Sequence, residues 1–450
     1  MNWAQLLSRK RLGVLNDEKY AIRRTDFQRD FDRIIFSSAL RRMQDKTQVF
    51  PLSKIDYVRT RLTHSLETSS VGRSLGTLVG EQIIQRYQLK DYQASDIGDI
   101  CAAACLAHDI GNPPFGHSGE DAIRHWATNT ALGQKRIALL SAKKQADFLQ
   151  FEGNAQGFRV LARLQNVDNE GGLQLTCATL AAFTKYPREA NLNGQFYTGV
   201  SAKKQGFTYH DQALFETVAK EVGLISRSPE NAIWFRHPLA FIVEAADDIC
   251  YRVIDIEDGY RLGHISYEEA KRHFLANLFN QEKYFKRLSA IKGDKQKIEF
   301  LRSKVINETI GQVKSCFLDN EQQILSGQFD RALIAEIPNY KALSELRAFA
   351  HKKIYAAPEV LETDVVGFRI IRALLDQFMP ALDDVTANKS EAQALHKILC
   401  KMLPQQFVGD HYLTPEKDDY LRLLKLTDFI AGMTDSYALT LYQKLTGIFL

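Results

Sequence analysis

What the 450-residue sequence lacks narrows the field before anything it contains. No uninterrupted apolar run approaches the roughly 20 residues that cross a bilayer. The opening MNWAQLLSRKRLG shows neither the apolar stretch nor the cleavage site of a secretory leader, so a cytoplasmic protein with no membrane role is expected. Cysteine is sparse: Cys101, Cys105, Cys177, Cys250, Cys316 and Cys400 sit mostly in apolar helical text and none forms a Cys-x-x-Cys pair. Reduced, buried thiols are expected, not disulfides or thiolate metal ligands. No linker rich in Pro, Gly or Ser separates modules, no repeat recurs and no strand-rich segment stands out. Disorder is excluded too, since 45% hydrophobic and 25% charged residues are ordinary for a globular chain. The net charge of +4 permits a polyanionic ligand without requiring one.

Helical periodicity is what the sequence does contain, and it predicts an all-α protein. Residues 1–29 read as a basic arm that orders only against a neighbour, 30–262 as the core, and 263–450 as a helical region packed on it. After the N-cap pair Thr25-Asp26, helices are expected over 62–89, 94–108, 151–166, 173–183 and 238–256. Beyond residue 266 they are expected over 267–290, 295–325, 328–353, 366–377, 390–403 and 416–446. The stretch 185–230, with Pro187, Gly194, Gly199 and Gly206, is the least regular; it predicts a short hairpin (195–200 with 206–210) or a lid over a pocket.

One segment concentrates chemistry. Ile97, Ile100, Cys101, Ala104 and Cys105 form an apolar stripe that runs into His108-Asp109, after which Gly111, Asn112, Pro113 and Pro114 forbid further helix. Neighbouring helical residues point about 100° apart, so the imidazole and the carboxylate share an ion only at a helix end whose surroundings supply further ligands. His64 stands at the start of an amphipathic helix carrying Leu62, Leu66, Val71 and Leu75, and Asp247 and Asp248 lie inside another. Two imidazoles with two carboxylates would neutralise a divalent cation and leave coordination positions open. His210-Asp211 repeats the dipeptide but lacks both the preceding stripe and the following breaker. His117 and Glu120 lie one helical turn apart, the spacing at which a carboxylate fixes an imidazole tautomer.

The order His64, His108-Asp109, Asp247 resembles the HD phosphohydrolase superfamily. The segments RDFDRIIFSSALRRMQDKTQVF, RTRLTHSLETS, LAHDIGNPPFGHSGE, FEGNAQGFR, LTCATLAAFTKYPR and EAADDICYRVIDIEDG, with a weaker echo in TDFIAGMTDSYA, together resemble the bacterial deoxyguanosine triphosphate triphosphohydrolases. The resemblance implies an HD-type helical core with additional C-terminal helices, and hydrolysis of dGTP or another dNTP to the nucleoside and inorganic triphosphate. It implies His64, His108, Asp109 and Asp247 as metal ligands, with Asp248 the competitor for the fourth place. Asp247 is preferred because Tyr251 and Asp255 follow it at i+4 and i+8 on one face. It implies His117 and Glu120 as the catalytic pair, and Arg61, helped by Arg59, on the phosphates. Lys185, Tyr186 and Tyr251 are implied to line the nucleotide pocket, Gln48 and Asp255 to bind the sugar 3′ hydroxyl, and Glu152, Asn154 and Gln156 to face the same pocket.

The implied cofactor is Mn²⁺ or Mg²⁺, with Fe, Ni and Zn compatible with the same donor set. The implied partners are a second copy of the chain in a symmetric oligomer, a hexamer above all, and single-stranded DNA as a regulator. Basic stretches at 8–11, 143–144, 283–303 and 351–353 are the candidates for that DNA. Two rival readings keep the His64–His108–Asp109–Asp247 box: a phosphodiesterase or 5′-nucleotidase of the HD class, and a non-catalytic nucleic-acid-binding protein.

Overall fold

The computed structural model describes residues 1–14, 24–49, 58–192 and 197–448. Helices dominate among them, as the all-α expectation requires; the sheet they contain is a two-stranded hairpin, Gly409–His411 with Thr414–Pro415. No helix among the described residues is long and apolar enough to cross a membrane.

The frame around His64 and His108 is a pair of helices that approach unusually closely. Arg61–Tyr87 begins where the Thr60 amide donates to Thr63 Oγ1 (3.0 Å) and ends at Gln88, in the left-handed region at φ 50°. Its buried face is not leucine-rich. Leu66, expected in the apolar stripe, is exposed, whereas His64, Ser65, Thr68, Gly72, Gly76 and Gly80 turn inward beside Leu75 and Val79. The partner, Ala94–Ala107, explains why. A Cβ on Gly72 would lie 2.4 Å from Cys105 Sγ, one on Gly76 2.9 Å from Cys101 Sγ, and one on Gly80 2.9 Å from the Ala94 carbonyl oxygen. Small residues every fourth position clear one line of the helix, and the two cysteines fill it. Burial pushes both thiols up, so they stay protonated and serve as packing.

A third helix, Pro238–Arg261, crosses this pair. Its N-cap His237 accepts from the Leu239 amide through Nδ1 (3.1 Å) and donates through Nε2 to the Leu6 carbonyl (3.0 Å); burial lowers its pKa to about 4 and keeps it neutral. That bond also corrects the expectation for the N-terminal arm. Residues 1–14 dock on their own chain, burying Trp3, Leu6, Leu7 and Leu12, with the Trp3 indole donating to Glu321 (2.7 Å) and Arg11 paired to Asp30 (2.7 Å).

Two apolar cores result, and they do not divide at residue 262. The first draws on residues from Trp3 to Ile354, and the second packs Phe115–Phe151 against Ile370–Leu441 around the helix Pro358–Asn388. The loop after His108-Asp109 lies at their junction, with Ile110 in the first core and Phe115 in the second. Other expectations shift by smaller amounts. The 267–290 stretch is two helices, Tyr267–Ala276 and Glu282–Ala290, because the buried Asn277 ends the first and its carbonyl accepts from Asn339 (2.7 Å). The 416–446 stretch breaks at Gly432, after which Thr434 caps Asp435–Leu445. The expected hairpin in 185–230 is absent among the described residues: Tyr209–Asp211 is a 3₁₀ turn feeding the helix Gln212–Glu221, and Arg188 pairs instead with Ile233. Part of the hairpin's first strand lies outside the described residues.

The close helix pair makes a stability contrast. Gly76→Val is expected to lose about 1–3 kcal/mol in chemical denaturation, through overpacking against Cys101 and the Ile97 carbonyl. Gly311→Ala, on an exposed helical position with nothing within 4 Å, is expected to gain about 0.5–1 kcal/mol.

Candidate active site

Helix packing brings four side chains from three segments to one point. The His64 and His108 rings stand 5.2 Å apart between centroids. Asp247 Oδ1 lies 3.1 Å from His64 Nε2 and 3.3 Å from His108 Nε2, and Asp109 Oδ1 lies 3.6 Å from His108 Nε2. One ligand atom each from His64, His108 and Asp109 falls within 4.8 Å of the others. Donors about 2.0–2.2 Å from a common ion and near right angles to one another sit roughly 3 Å apart, so this spacing fits a divalent cation. The His108 Nδ1–H donates to the Cys105 carbonyl (2.7 Å), which leaves the Nε2 lone pair facing the others. Asp248 does not compete; it points to Arg252 (3.4 Å), and burial pushes it up to about 6.

Both carboxylates are held at two ends. Asp247 gives its second oxygen to Lys185 Nζ (2.6 Å), and Asp109 gives its second oxygen to Arg61 (2.6 Å) while Asn112 donates to the first. Burial penalises both charges, yet Lys185 and then the imidazoles hold Asp247 well below the usual carboxylate range, and Arg61 does the same for Asp109. Two anions beside two imidazoles are therefore ionised and aimed before any ion arrives.

The turn beyond them sets up the second pair. Gly111 lies against the 153–159 helix so closely that a Cβ would sit 2.0 Å from the Gly157 amide nitrogen. Phe115 and Gly116 take positive φ values of 61° and 58°, and the helix His117–Asn129 starts directly after them. His117 Nδ1 bonds Glu120 Oε2 (2.9 Å), and Glu120 Oε1 accepts from the Gly153 amide (2.7 Å). Glu120 is thus anchored at both oxygens and is more than a first-turn residue favoured by the helix dipole. Its side chain is 3% exposed whereas that of His117 is 83% exposed, so the carboxylate is buried and the imidazole stands open to the cavity. The hydrogen bond to Glu120 raises the His117 pKa and, against burial, keeps Glu120 low.

A cavity of about 530 Å³ receives all of this. Most of the residues singled out above line it: Gln48, Arg61, His64, His108, Asp109, His117, Glu120, Asn154, Lys185, Tyr186, Asp247, Tyr251 and Asp255. Three auxiliary readings do not hold. Arg59 turns away to Glu67, Glu257 and Asp258; Gln156 donates to the buried Asp428 (2.9 Å); Glu152 is occupied by Lys204 (2.8 Å) and Arg124 (3.4 Å). His210-Asp211 is structural, its carboxylate paired with Arg159 and Arg163.

Several lining residues escaped the sequence reading, among them Asn112, Lys204, Arg252, Arg347 and Tyr355. The Tyr355 hydroxyl donates to Asp255, whose pKa burial pushes up to about 7. His351–Tyr355 is a π-helical turn, a feature enriched at functional sites, but its sequence HKKIY gives no periodic signal. Five Lys or Arg side chains face the cavity with four carboxylates, two of which lie beside His64 and His108, a balance suited to a divalent ion plus a polyanion.

Residues 61–164 match the HD domain and residues 338–444 a phosphohydrolase-associated domain. A deoxyguanosinetriphosphate triphosphohydrolase-like protein of Synechocystis sp. is 46% identical over the whole of both chains. Another from Pseudomonas aeruginosa is 38% identical over 99% of each, and a deoxyguanosinetriphosphate triphosphohydrolase of Enterobacter sp. is 31% identical over 94% of each. The chain belongs to the deoxyguanosinetriphosphate triphosphohydrolase family of HD proteins. Membership in an HD phosphohydrolase family agrees with the donor set: the HD domain supplies both histidines and Asp109, and the helix carrying Asp247 follows it in the chain.

Divalent cation is expected to raise the melting temperature of the wild-type protein, by mass action on the folded state. His64→Ala and Asp247→Ala are each expected to abolish that increment, while His117→Ala retains it. Differential scanning fluorimetry with and without Mn²⁺ reads this, and an unchanged increment in Asp247→Ala would remove that residue from the box.

Proposed function

We propose that the protein hydrolyses deoxynucleoside triphosphates, dGTP foremost, to the deoxynucleoside and inorganic triphosphate, with Mn²⁺ or Mg²⁺ at the His64–His108–Asp109–Asp247 box. The observation that carries this reading is a single cavity in which a divalent donor set, an anchored His–Glu pair and five cationic side chains face one another. The base preference follows the names of the relatives.

A bound divalent ion supplies Lewis-acid polarisation of the α-phosphate and a more acidic water. Arg61, Lys185, Lys204 and Arg347 hold the triphosphate, a task that needs several cations because the charge is spread over three phosphoryl groups. Water attacks the α-phosphorus and gives up a proton to bulk solvent, and the bond to the sugar 5′ oxygen breaks to leave inorganic triphosphate. His117, with Nδ1 fixed on Glu120, presents Nε2 to the cavity and gives its proton to that leaving oxygen; the carboxylate favours the imidazolium that this requires. Asp255 and Gln48, whose Oε1 has no partner among the described residues, supply acceptors for the sugar 3′ hydroxyl. Tyr355, bonded to Asp255, and Tyr251 close the 2′ side against a ribose hydroxyl.

A cytoplasmic symmetric oligomer, a hexamer, is part of the same reading; the exposed apolar face Leu395, Ile398 and Met402 on the helix Ala394–Met402 supports a contact between copies and no particular number of them. A DNA groove draws less support. Lys10, Lys143, Lys297 and Lys353, from the four basic stretches, are each paired with a carboxylate.

Incubation with dGTP and Mn²⁺ is expected to yield deoxyguanosine and intact triphosphate in equal amounts, with GTP turned over at least about a hundredfold less efficiently. Release of pyrophosphate or orthophosphate would instead favour a different HD hydrolase. His117→Ala is expected to lower kcat by about 10²–10⁴. As pH rises through the elevated His117 pKa the acid is lost and kcat falls; Glu120→Gln removes the carboxylate that raises this pKa, so the alkaline limb moves to lower pH. A limb that stays in place would show that His117 is not the titrating acid.

A further inference from the structure

The segment TDFIAGMTDSYA, residues 427–438, contributes no side chain to the cavity, yet its Asp435 touches both sides of the site. Asp435 is the first residue of Asp435–Leu445, behind the Thr434 cap, and is fully buried. Its Oδ2 accepts from the Thr47 amide (2.9 Å) and hydroxyl (2.6 Å), next to Gln48. Its Oδ1 accepts from the Phe115 amide (2.9 Å), at the turn that launches His117. That turn is strained: an aromatic residue at φ 61° is a conformational outlier that persists only when its surroundings over-determine it. Two contacts do so, the carboxylate on the amide and the Phe115 ring pressed on Gly367, where a Cβ would come within 2.5 Å of the ring. A buried lysine runs the same way: Lys46 Nζ donates to the Asn112 carbonyl (2.6 Å) and to the Ala431 carbonyl (2.8 Å).

The geometry points to Asp435 as a positioning residue that clamps Gln48 and the His117 turn in one register, so that the sugar-reading and proton-transferring groups are set by the C-terminal helix. This rests on the roles proposed above for Gln48 and His117. A carboxylate is needed because three donors converge on its two oxygens from two segments, and a neutral amide, with one acceptor oxygen, could serve Thr47 or Phe115 but not both. Loss of the clamp frees the turn to relax toward negative φ, which swings His117 away from the reacting oxygen; displacement by about 1 Å costs on the order of a hundredfold in rate.

The test is steady-state kinetics of the full-length enzyme with dGTP and with 2′,3′-dideoxyguanosine triphosphate, each variant's folded fraction being measured by thermal unfolding. Asp435→Ala is expected to lower kcat about a hundredfold, to raise KM for dGTP about tenfold, and to shrink the preference for dGTP over the dideoxy substrate about tenfold. Asp435→Asn keeps one acceptor and is expected to recover at least about tenfold of the lost kcat; it also serves if the alanine variant does not fold. Ser436→Ala, which loses only a bond to Asp45, is expected to match the wild type. Activity that falls only in proportion to folded protein, with KM and the substrate preference unmoved in both Asp435 variants, overturns the assignment. A wild-type enzyme that releases no deoxyguanosine from dGTP overturns the proposed function instead.

Discussion

The site depends on how closely two helices can lie. Gly72, Gly76 and Gly80 remove every side chain along one line of Arg61–Tyr87, and Cys101 and Cys105 of Ala94–Ala107 occupy the space. Only at that separation do the rings of His64, near the start of one helix, and His108, at the end of the other, come within reach of one Asp247 oxygen. A bulkier stripe would have given a conventional hydrophobic seam and two histidines too far apart to share a ligand.

Assembling those groups confines carboxylates and cations in a protein interior, where an uncompensated charge costs several kcal/mol. The chain resolves this locally. Each of the two carboxylates divides its oxygens, one toward the imidazoles and one toward a cation, Lys185 for Asp247 and Arg61 for Asp109. The same two cations line the cavity, so the charges that orient the carboxylates also face its interior. Glu120 follows the same logic at a different place. Its two oxygens are taken by His117 and the Gly153 amide, which leaves the imidazole as the exposed member of the pair. Fixed partners thus replace the solvent reorganisation that a flexible site would need at the moment of reaction.

Much of this was legible from residue type and local breakers. His108-Asp109 stood out because an apolar stripe ran into Gly, Asn and two prolines, and His117–Glu120 because of one-turn spacing; the structure brings all of these into one cavity. Direction around a loop or helix end was not legible. Arg59 and Gln156 sit two residues from Arg61 and Asn154, but that offset sends them to Glu257 and Asp428 instead. Leu66 misled for a related reason, since hydrophobicity marks a buried face only when the partner leaves room for it. Arg347 and Tyr355 were beyond reach because their place depends on how the first core closes around residues far away in sequence. The N-terminal arm failed similarly: a polar, basic composition hides the few apolar side chains, Trp3, Leu6 and Leu7, that decide its docking.

The two matched regions, 61–164 and 338–444, are separated by more than 170 residues, yet neither makes a site alone. The first carries most of the box and the His–Glu pair; the second supplies Arg347 and Tyr355 to the cavity and the helix Pro358–Asn388 against which His117–Asn129 packs. Buried charge fixes their mutual register more strictly than apolar packing could, because hydrophobic contact tolerates sliding and a converging hydrogen-bond set does not. Asp428 takes both Arg159 and Gln156 from the helix behind the loop, and Asp435 takes Thr47 and Phe115 from in front of it. Acidic side chains seven residues apart thus hold the segments on either side of that loop, and Asp435 also holds the loop itself through Phe115. That is a physical reason for a C-terminal helical region that sends few side chains into the cavity: the turn before His117 is strained, and contacts outside the cavity hold it.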